Sequence, residues 1–222
     1  MSERPAPVEL PELSGADLAD RPERWPILDR QVRHRGRVTT TVTDTVQAPD
    51  GSTIGRDWLL HPGAVGVIAL DEEERVVLVE QYRHPAGFRL IEPPAGLLDV
   101  EAESWLVAAQ RELAEEAMLA ADEWSVLVDL FTSPGSSAES TRIFLARGLR
   151  PAARPDGFDL VGEEADMRVA RAPLARVVDG VYAGRLQNPL LVAGSLAAAQ
   201  ALATGRELRP ADSPWPARSV RQ

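Results

Sequence analysis

The chain is predicted to fold as an α/β protein, a mixed β-sheet sandwiched by helices with a small β unit at its N-terminal end. Three observations carry the prediction. GAVGVIAL (63–70) is a continuous apolar run, the pattern of a buried strand. Leu106, Ala109, Leu113 and Ala117 recur at spacings of three and four, which makes one apolar helix face. RVTTTVTDTVQ (37–47) is β-branched and alternating, and reads as a strand outside the apolar region.

The elements follow in order. Residues 1–24 are acidic and proline-rich and are expected to form a loosely held arm. After the 37–47 strand, Pro49-Asp50-Gly51 is a turn signal, and a second strand is expected through Trp58. The buried strand at 63–70 is followed by the charged turn Asp71 to Glu74, the strand RVVLVEQYR (75–83) and a short extended piece from Phe88 to Glu92. PPAGLLD (93–99) is a loop, and a helix runs from about Ser104 to Ala117. WSVLVDLF (124–131) and TRIFLARGL (141–149) are strands. RPAARPDGFDLVGEE (150–164) is a long loop, and such a connection inside a compact domain is more often functional than idle. Two late helices are expected near 173–180 and 188–204. The organisation expected is an N-terminal arm and β unit (1–58), a main domain (59–205) and a flexible C-terminal tail (206–222) containing Pro210, Pro214 and Pro216.

Composition excludes several function classes. The 222 residues are 44% hydrophobic, enough for a real core. With 34 acidic residues against 24 basic ones the formal net charge is −10, a field that repels nucleic acid and anionic membranes. All the basic residues are arginine, so lysine chemistry is absent. There is no cysteine, hence no disulfide, thiolate nucleophile or cysteine zinc site. The start is neither a signal nor a basic transit peptide, and the apolar stretch at 190–203 is too short to span a bilayer, so a cytoplasmic protein is expected.

RELAEE (111–116) crowds glutamates into one helical turn. Glu112 is three residues from Glu115 and four from Glu116, so their side chains are neighbours and repel. In the last turn they also oppose the helix dipole, at a cost of roughly 0.3–1 kcal/mol each. A hard divalent cation such as Mg²⁺ or Mn²⁺ removes the conflict. The competing reading of the triplet alone is a solvated acidic face.

The wider pattern decides between them. Gly96-Leu97-Leu98-Asp99, then Glu103, seven residues, Arg111-Glu112-Leu113, one residue and Glu115-Glu116 resembles the Nudix box, G-x5-E-x7-R-E-U-x-E-E-x-G-U with U aliphatic. HPGAVGVIAL, VEQYRHP, EPPAG and SPGSSAES are similar to the ADP-ribose pyrophosphatase branch of that family, and the likeness runs from about Arg35 to Thr204. The chain departs from the pattern in one extra residue between Gly96 and Glu103, in Ala102 before the first box glutamate, and in Ala117 where a closing glycine is expected in a left-handed helix terminus.

The resemblance implies a Nudix fold and metal-dependent hydrolysis of a nucleoside diphosphate, ADP-ribose giving AMP and ribose 5-phosphate, by a homodimer. It implies Glu112 and Glu116 as principal metal ligands, with Glu115 auxiliary and the Ala95 carbonyl a further ligand. Glu103 and Arg111 become a bracing ion pair beside the reaction centre. Arg83 and Arg56 are the expected diphosphate donors, and Glu139 matches a position near the active site. A glutamate of the long loop, Glu164 or Glu163, is the expected base. Trp25 and Trp58 are expected to pack in the core or at an interface rather than stack on an adenine. Alternatives are another nucleoside diphosphate sugar, an oxidised nucleotide, or a Nudix-like module that binds ADP-ribose without cleaving it.

Overall fold

The apolar run at 63–70 forms β4, Ala64–Ala69, all six residues of which are buried. The structure, a computed structural model, describes residues 10–154 and 166–219. β4 is parallel to β9 (Ser140–Pro151) and antiparallel to a short β7 (Ala95–Leu97), within a sheet ordered β11-β8-β9-β4-β7. β8 (Leu119–Phe131) and β11 (Arg209–Pro210) complete it, so the sheet is mixed, as expected. A second sheet pairs β5 (Arg75–Arg83) with β6 (Phe88–Glu92) and β10 (Arg168–Pro173).

Both faces of β4 are covered, which is why its sequence does not alternate. Val65, Val67 and Ala69 pack with Ala108, Ala109, Leu113 and Ala117 of α1 (Trp105–Ala117). Ile68 and Leu70 pack with Leu174 and Val177 of α2 (Leu174–Tyr182) and Leu191 and Ala198 of α3 (Pro189–Thr204). The layering is thus helix, sheet, helix. No helix among the described residues is long and apolar enough to cross a membrane.

The N-terminal sheet is β1 (Ile27–Arg35), β2 (Thr40–Gln47) and β3 (Thr53–Leu60). Its centre is polar. Asp44, 5% exposed, takes two hydrogen bonds from Arg30 (2.7 and 2.8 Å) and one from the Trp58 indole (3.0 Å). The Arg30 hydrogen bonds hold the Asp44 carboxyl below the usual carboxylate range. Trp58 therefore packs, as expected, with the Arg30 guanidinium over its ring at 5.3 Å. β3 is fastened to the 133–139 loop by Leu59 N–H to the Ser136 carbonyl (2.9 Å) and Ala138 N–H to the Leu59 carbonyl (2.8 Å).

Three expectations need correction. PPAG is not wholly loop, because Ala95 and Leu97 pair with Gly66 and Ala64 across β7 and β4. The described part of the tail is not loose: Trp215 is 2% exposed within the core, and α4 (Pro216–Ser219) follows it. The left-handed residue ending α1 is Met118 (φ 53°, ψ 42°), not Ala117, which stays helical and buried. The family pattern itself leaves one residue between the paired glutamates and the glycine, so position 118 is the one it specifies. Ala102 is left-handed as well (φ 62°). A side chain there costs on the order of 1 kcal/mol. Met118 is 49% exposed, so trimming it forfeits little packing. Met118→Gly is expected to raise Tm by about 2–4 °C in calorimetry.

Candidate active site

Ser104 opens α1, its hydroxyl accepting from Val107 N–H (3.3 Å), and so sets which residues face the β7 strand. On that face Glu112, Glu115 and Glu116 are 9%, 9% and 6% exposed. The solvated acidic face is therefore ruled out. Burying three like charges is costly unless they are paired. Arg111 supplies part of the pairing: its guanidinium holds both oxygens of Glu103 (3.0 and 3.0 Å), and Nη1 reaches Glu112 (2.7 Å) and Glu115 (2.9 Å). The Glu103 hydrogen bonds and then the neighbouring charges hold the Arg111 pKa well above its ordinary value. The expected Glu103–Arg111 brace is present. Arg111 faces three carboxylates with one charge.

β7 approaches the same face. Ala95 N–H donates to Glu116 Oε2 (2.9 Å). Gly96 lies against Glu112 so closely that a Cβ built on it would sit 1.9 Å from the Glu112 carboxyl carbon. Ala95 and the two outer glutamates thus come together. Among the described residues no three acidic or histidine side chains are gathered at ligating distance, and the carboxylates take hydrogen bonds from Arg111 and the Ala95 amide. The donor set still fits a hard cation: carboxylate and carbonyl oxygens on adjacent segments, in net negative surroundings.

Arg83 ends β5 and is oriented by Glu92, which it contacts three times (2.6 to 3.2 Å). Glu92 is 1% exposed and also takes a hydrogen bond from Gln81 (3.2 Å). It lies three residues before Ala95, so Arg83 is fixed near the start of the box strand, with 40% of its side chain exposed. Arg56 lies exposed on β3 of the N-terminal sheet, donating to its neighbour Gly55 (3.1 Å). Glu139 accepts from the Thr132 hydroxyl and faces His61 at 3.8 Å. Glu163 and Glu164 lie outside the described residues. Trp25 is 40% exposed and donates to Glu23 (2.7 Å), so it lies outside the core of this chain.

Two groups escaped the sequence reading. Glu92 orients Arg83, and its signal was a carboxylate closing the β6 segment FRLIE directly after Leu90 and Ile91. Arg154 donates to the Glu115 carbonyl (2.8 Å), placing a cation at the dipole-negative end of α1. No local pattern in RPAARP announced that contact.

Comparison with known proteins agrees with this geometry. The Nudix domain model matches residues 60–175. The ADP-ribose pyrophosphatase of Mycobacterium tuberculosis (strain ATCC 25618 / H37Rv) is 42% identical over 189 residues, covering 85% of this chain and 89% of that protein. The CMP-5'-(N-acetyl-N-hydroxy-3-aminopropyl)phosphonate hydrolase of Streptomyces rubellomurinus (strain ATCC 31215) is 27% identical, over 78% of this chain and 82% of its own. A solved structure described as an ADP compounds hydrolase superposes with a TM-score of 0.69 at 22% identity, over 85% of this chain and 100% of the other, which shows the shared fold. With the domain match covering more than half of the sequence and the box glutamates buried on one helix face, the chain belongs to the Nudix family.

Proposed function

We propose that this protein hydrolyses the diphosphate of ADP-ribose to AMP and ribose 5-phosphate, with Mg²⁺ as its metal and Mn²⁺ an ion of the same donor preference. The observation that carries the reading is the buried set Glu112, Glu115 and Glu116, held by Arg111 and closed by the Ala95–Gly96 strand. The 42% identity to an ADP-ribose pyrophosphatase over most of both chains supports the substrate.

Glu112, Glu116 and the Ala95 carbonyl would hold the metal, with Glu115 auxiliary. When bound, it polarises the diphosphate and lowers the pKa of coordinated water. The chain's own residues do the rest. Arg83, locked in place by Glu92, offers donors to phosphoryl oxygens as charge grows on them. A water oxygen bonds to phosphorus, the bridging P–O bond breaks, and the water's proton passes to a glutamate, which we assign to Glu164 with Glu163 beside it. Arg111 stays charged and keeps Glu112 and Glu115 in place. Arg56 and Glu139 are assigned to substrate binding by resemblance.

We also propose a homodimer through the N-terminal sheet. Ile27 (51% exposed), Leu28 (57%) and Val32 (46%) leave an apolar surface on β1 that a second copy would cover.

Product analysis tests the function. ADP-ribose with Mg²⁺ is expected to give AMP and ribose 5-phosphate in equal amounts. Preference for a cytidine phosphonate anhydride would favour the chemistry of the Streptomyces relative. Binding of ADP-ribose without turnover would make the chain a sensor.

A further inference from the structure

The box loop connects Leu98, directly after β7, to Trp105, the first residue of α1. β7 brings Ala95 and Gly96 to the site, and α1 brings the glutamates. Apart from Glu103, which Arg111 of α1 holds (3.0 and 3.0 Å), the loop between them is open. Asp99, Val100, Glu101, Ala102 and Ser104 are exposed, and Ala102 is left-handed. Such a segment has few contacts of its own to fix the separation of its ends.

The C-terminal segment grips both ends. At the helix end, Trp215 stands edge-on to Trp105, with ring centroids 5.7 Å apart at 85°. The Arg142 guanidinium lies over both rings, at 5.5 Å from Trp105 and 4.9 Å from Trp215. Arg142 is fully buried and anchored on Asp129 (2.7 and 3.0 Å). It donates to the carbonyls of Ser213 (2.6 Å) and Pro214 (3.0 Å), which fixes the chain leading into Trp215. At the strand end, Arg218 donates to the Leu98 carbonyl (3.3 Å) and to the Pro62 carbonyl. Pro62 precedes Gly63, whose own carbonyl accepts from Leu98 N–H (3.0 Å). One short segment therefore touches the last point of β7 and the first point of α1.

We infer that residues 209–218 are a strap that positions the metal-binding residues, and that Arg218 is its positioning residue, setting the Ala95 strand against Glu112 and Glu116. The inference rests on the proposed metal site. Arg218 touches none of the proposed metal ligands and acts through the loop, as groups behind a metal ligand do.

The test titrates Mn²⁺ into the full-length chain and follows the free-ion resonance signal, with Tm measured beside it. Wild type, Arg218→Gln and Arg218→Lys are compared. Glutamine loses the guanidinium fork, its charge and much of its reach, whereas lysine keeps a charged donor on a longer stem. Arg218→Gln is expected to need about tenfold more Mn²⁺ for half-saturation. Its Tm should fall by no more than about 3 °C. Its KM for ADP-ribose at saturating metal should stay within about twofold of wild type. Arg218→Lys should return metal affinity to within about threefold. A glutamine variant whose Mn²⁺ isotherm overlies that of wild type overturns the inference. So does a Tm loss beyond about 10 °C with affinity intact in the folded protein, which assigns Arg218 to stability alone. Absence of Mn²⁺ binding in wild type itself removes the metal site, and the proposed function falls with it.

Discussion

Glu116→Gln is expected to hydrolyse ADP-ribose about a thousandfold more slowly than wild type while folding at least as well, a loss of about 4 kcal/mol from the barrier side. The carboxylate of Glu116 accepts from the Ala95 amide at 2.9 Å, and a glutamine oxygen can keep that bond. The substitution therefore removes charge and leaves shape. Stability should move the other way. Glu116 sits in the last turn of α1, at the dipole-negative end, 6% exposed and beside two further glutamates. Relief of about 0.3–1 kcal/mol of unfavourable helix-end electrostatics raises Tm by up to about 3 °C. Steady-state kinetics and calorimetry on one preparation check both signs. Activity within tenfold of wild type would remove Glu116 from the metal site. A large Tm loss would mean that the Ala95 contact, not the charge, is what the residue contributes. The opposed signs separate a functional carboxylate from a structural one, because a residue kept for stability loses Tm when it is changed.

That conflict between stability and charge was legible in the sequence, and so was the helix that carries it. Leu113 and Ala117 point into the core as their spacing requires, and Ser104 caps where the apolar period begins. β5 and β6 coincide with the expected segments because each is bounded by turn chemistry. What the sequence could not supply is burial. The glutamate triplet alone looks the same on a solvated face as under a strand; the surrounding box pattern favours the second, and β7 packing against Glu112 and Glu116 shows it. β7 was hidden because its partner is β4, roughly thirty residues earlier. β1 was hidden for another reason: in ILDRQVRHR the apolar residues Ile27, Leu28 and Val32 do not alternate with polar ones, and every residue of it is exposed. The tail misled through its prolines. Pro214 and Pro216 flank a tryptophan that docks on Arg142, more than seventy positions earlier, and no local pattern encodes such a contact. The misplaced helix end was a counting matter of one residue, settled by the backbone angle of Met118.

Gly96→Ala is the second large effect, and its logic is steric. A methyl at 96 would lie 1.9 Å from Glu112 Cδ, 1.9 Å from its Oε1 and 2.6 Å from its Cγ. These atoms end a flexible side chain, so the fold yields cheaply by swinging Glu112 aside. The carboxylate then leaves both the proposed metal position and its 2.7 Å contact with Arg111. Hydrolysis is expected to fall at least about a hundredfold, with Tm changed by only a few degrees, roughly 4 °C at most. Because the damage passes through one carboxylate, it should not add to removing that carboxylate. Glu112→Gln with Gly96→Ala should be about as slow as Glu112→Gln alone, a departure from additivity of nearly the whole Gly96→Ala effect. Additive losses would mean that Gly96 serves something other than Glu112, such as the approach of substrate to the β7 backbone. A Gly96→Ala protein that keeps wild-type activity would mean that Glu112 tolerates displacement, and a residue that tolerates displacement is not holding the metal.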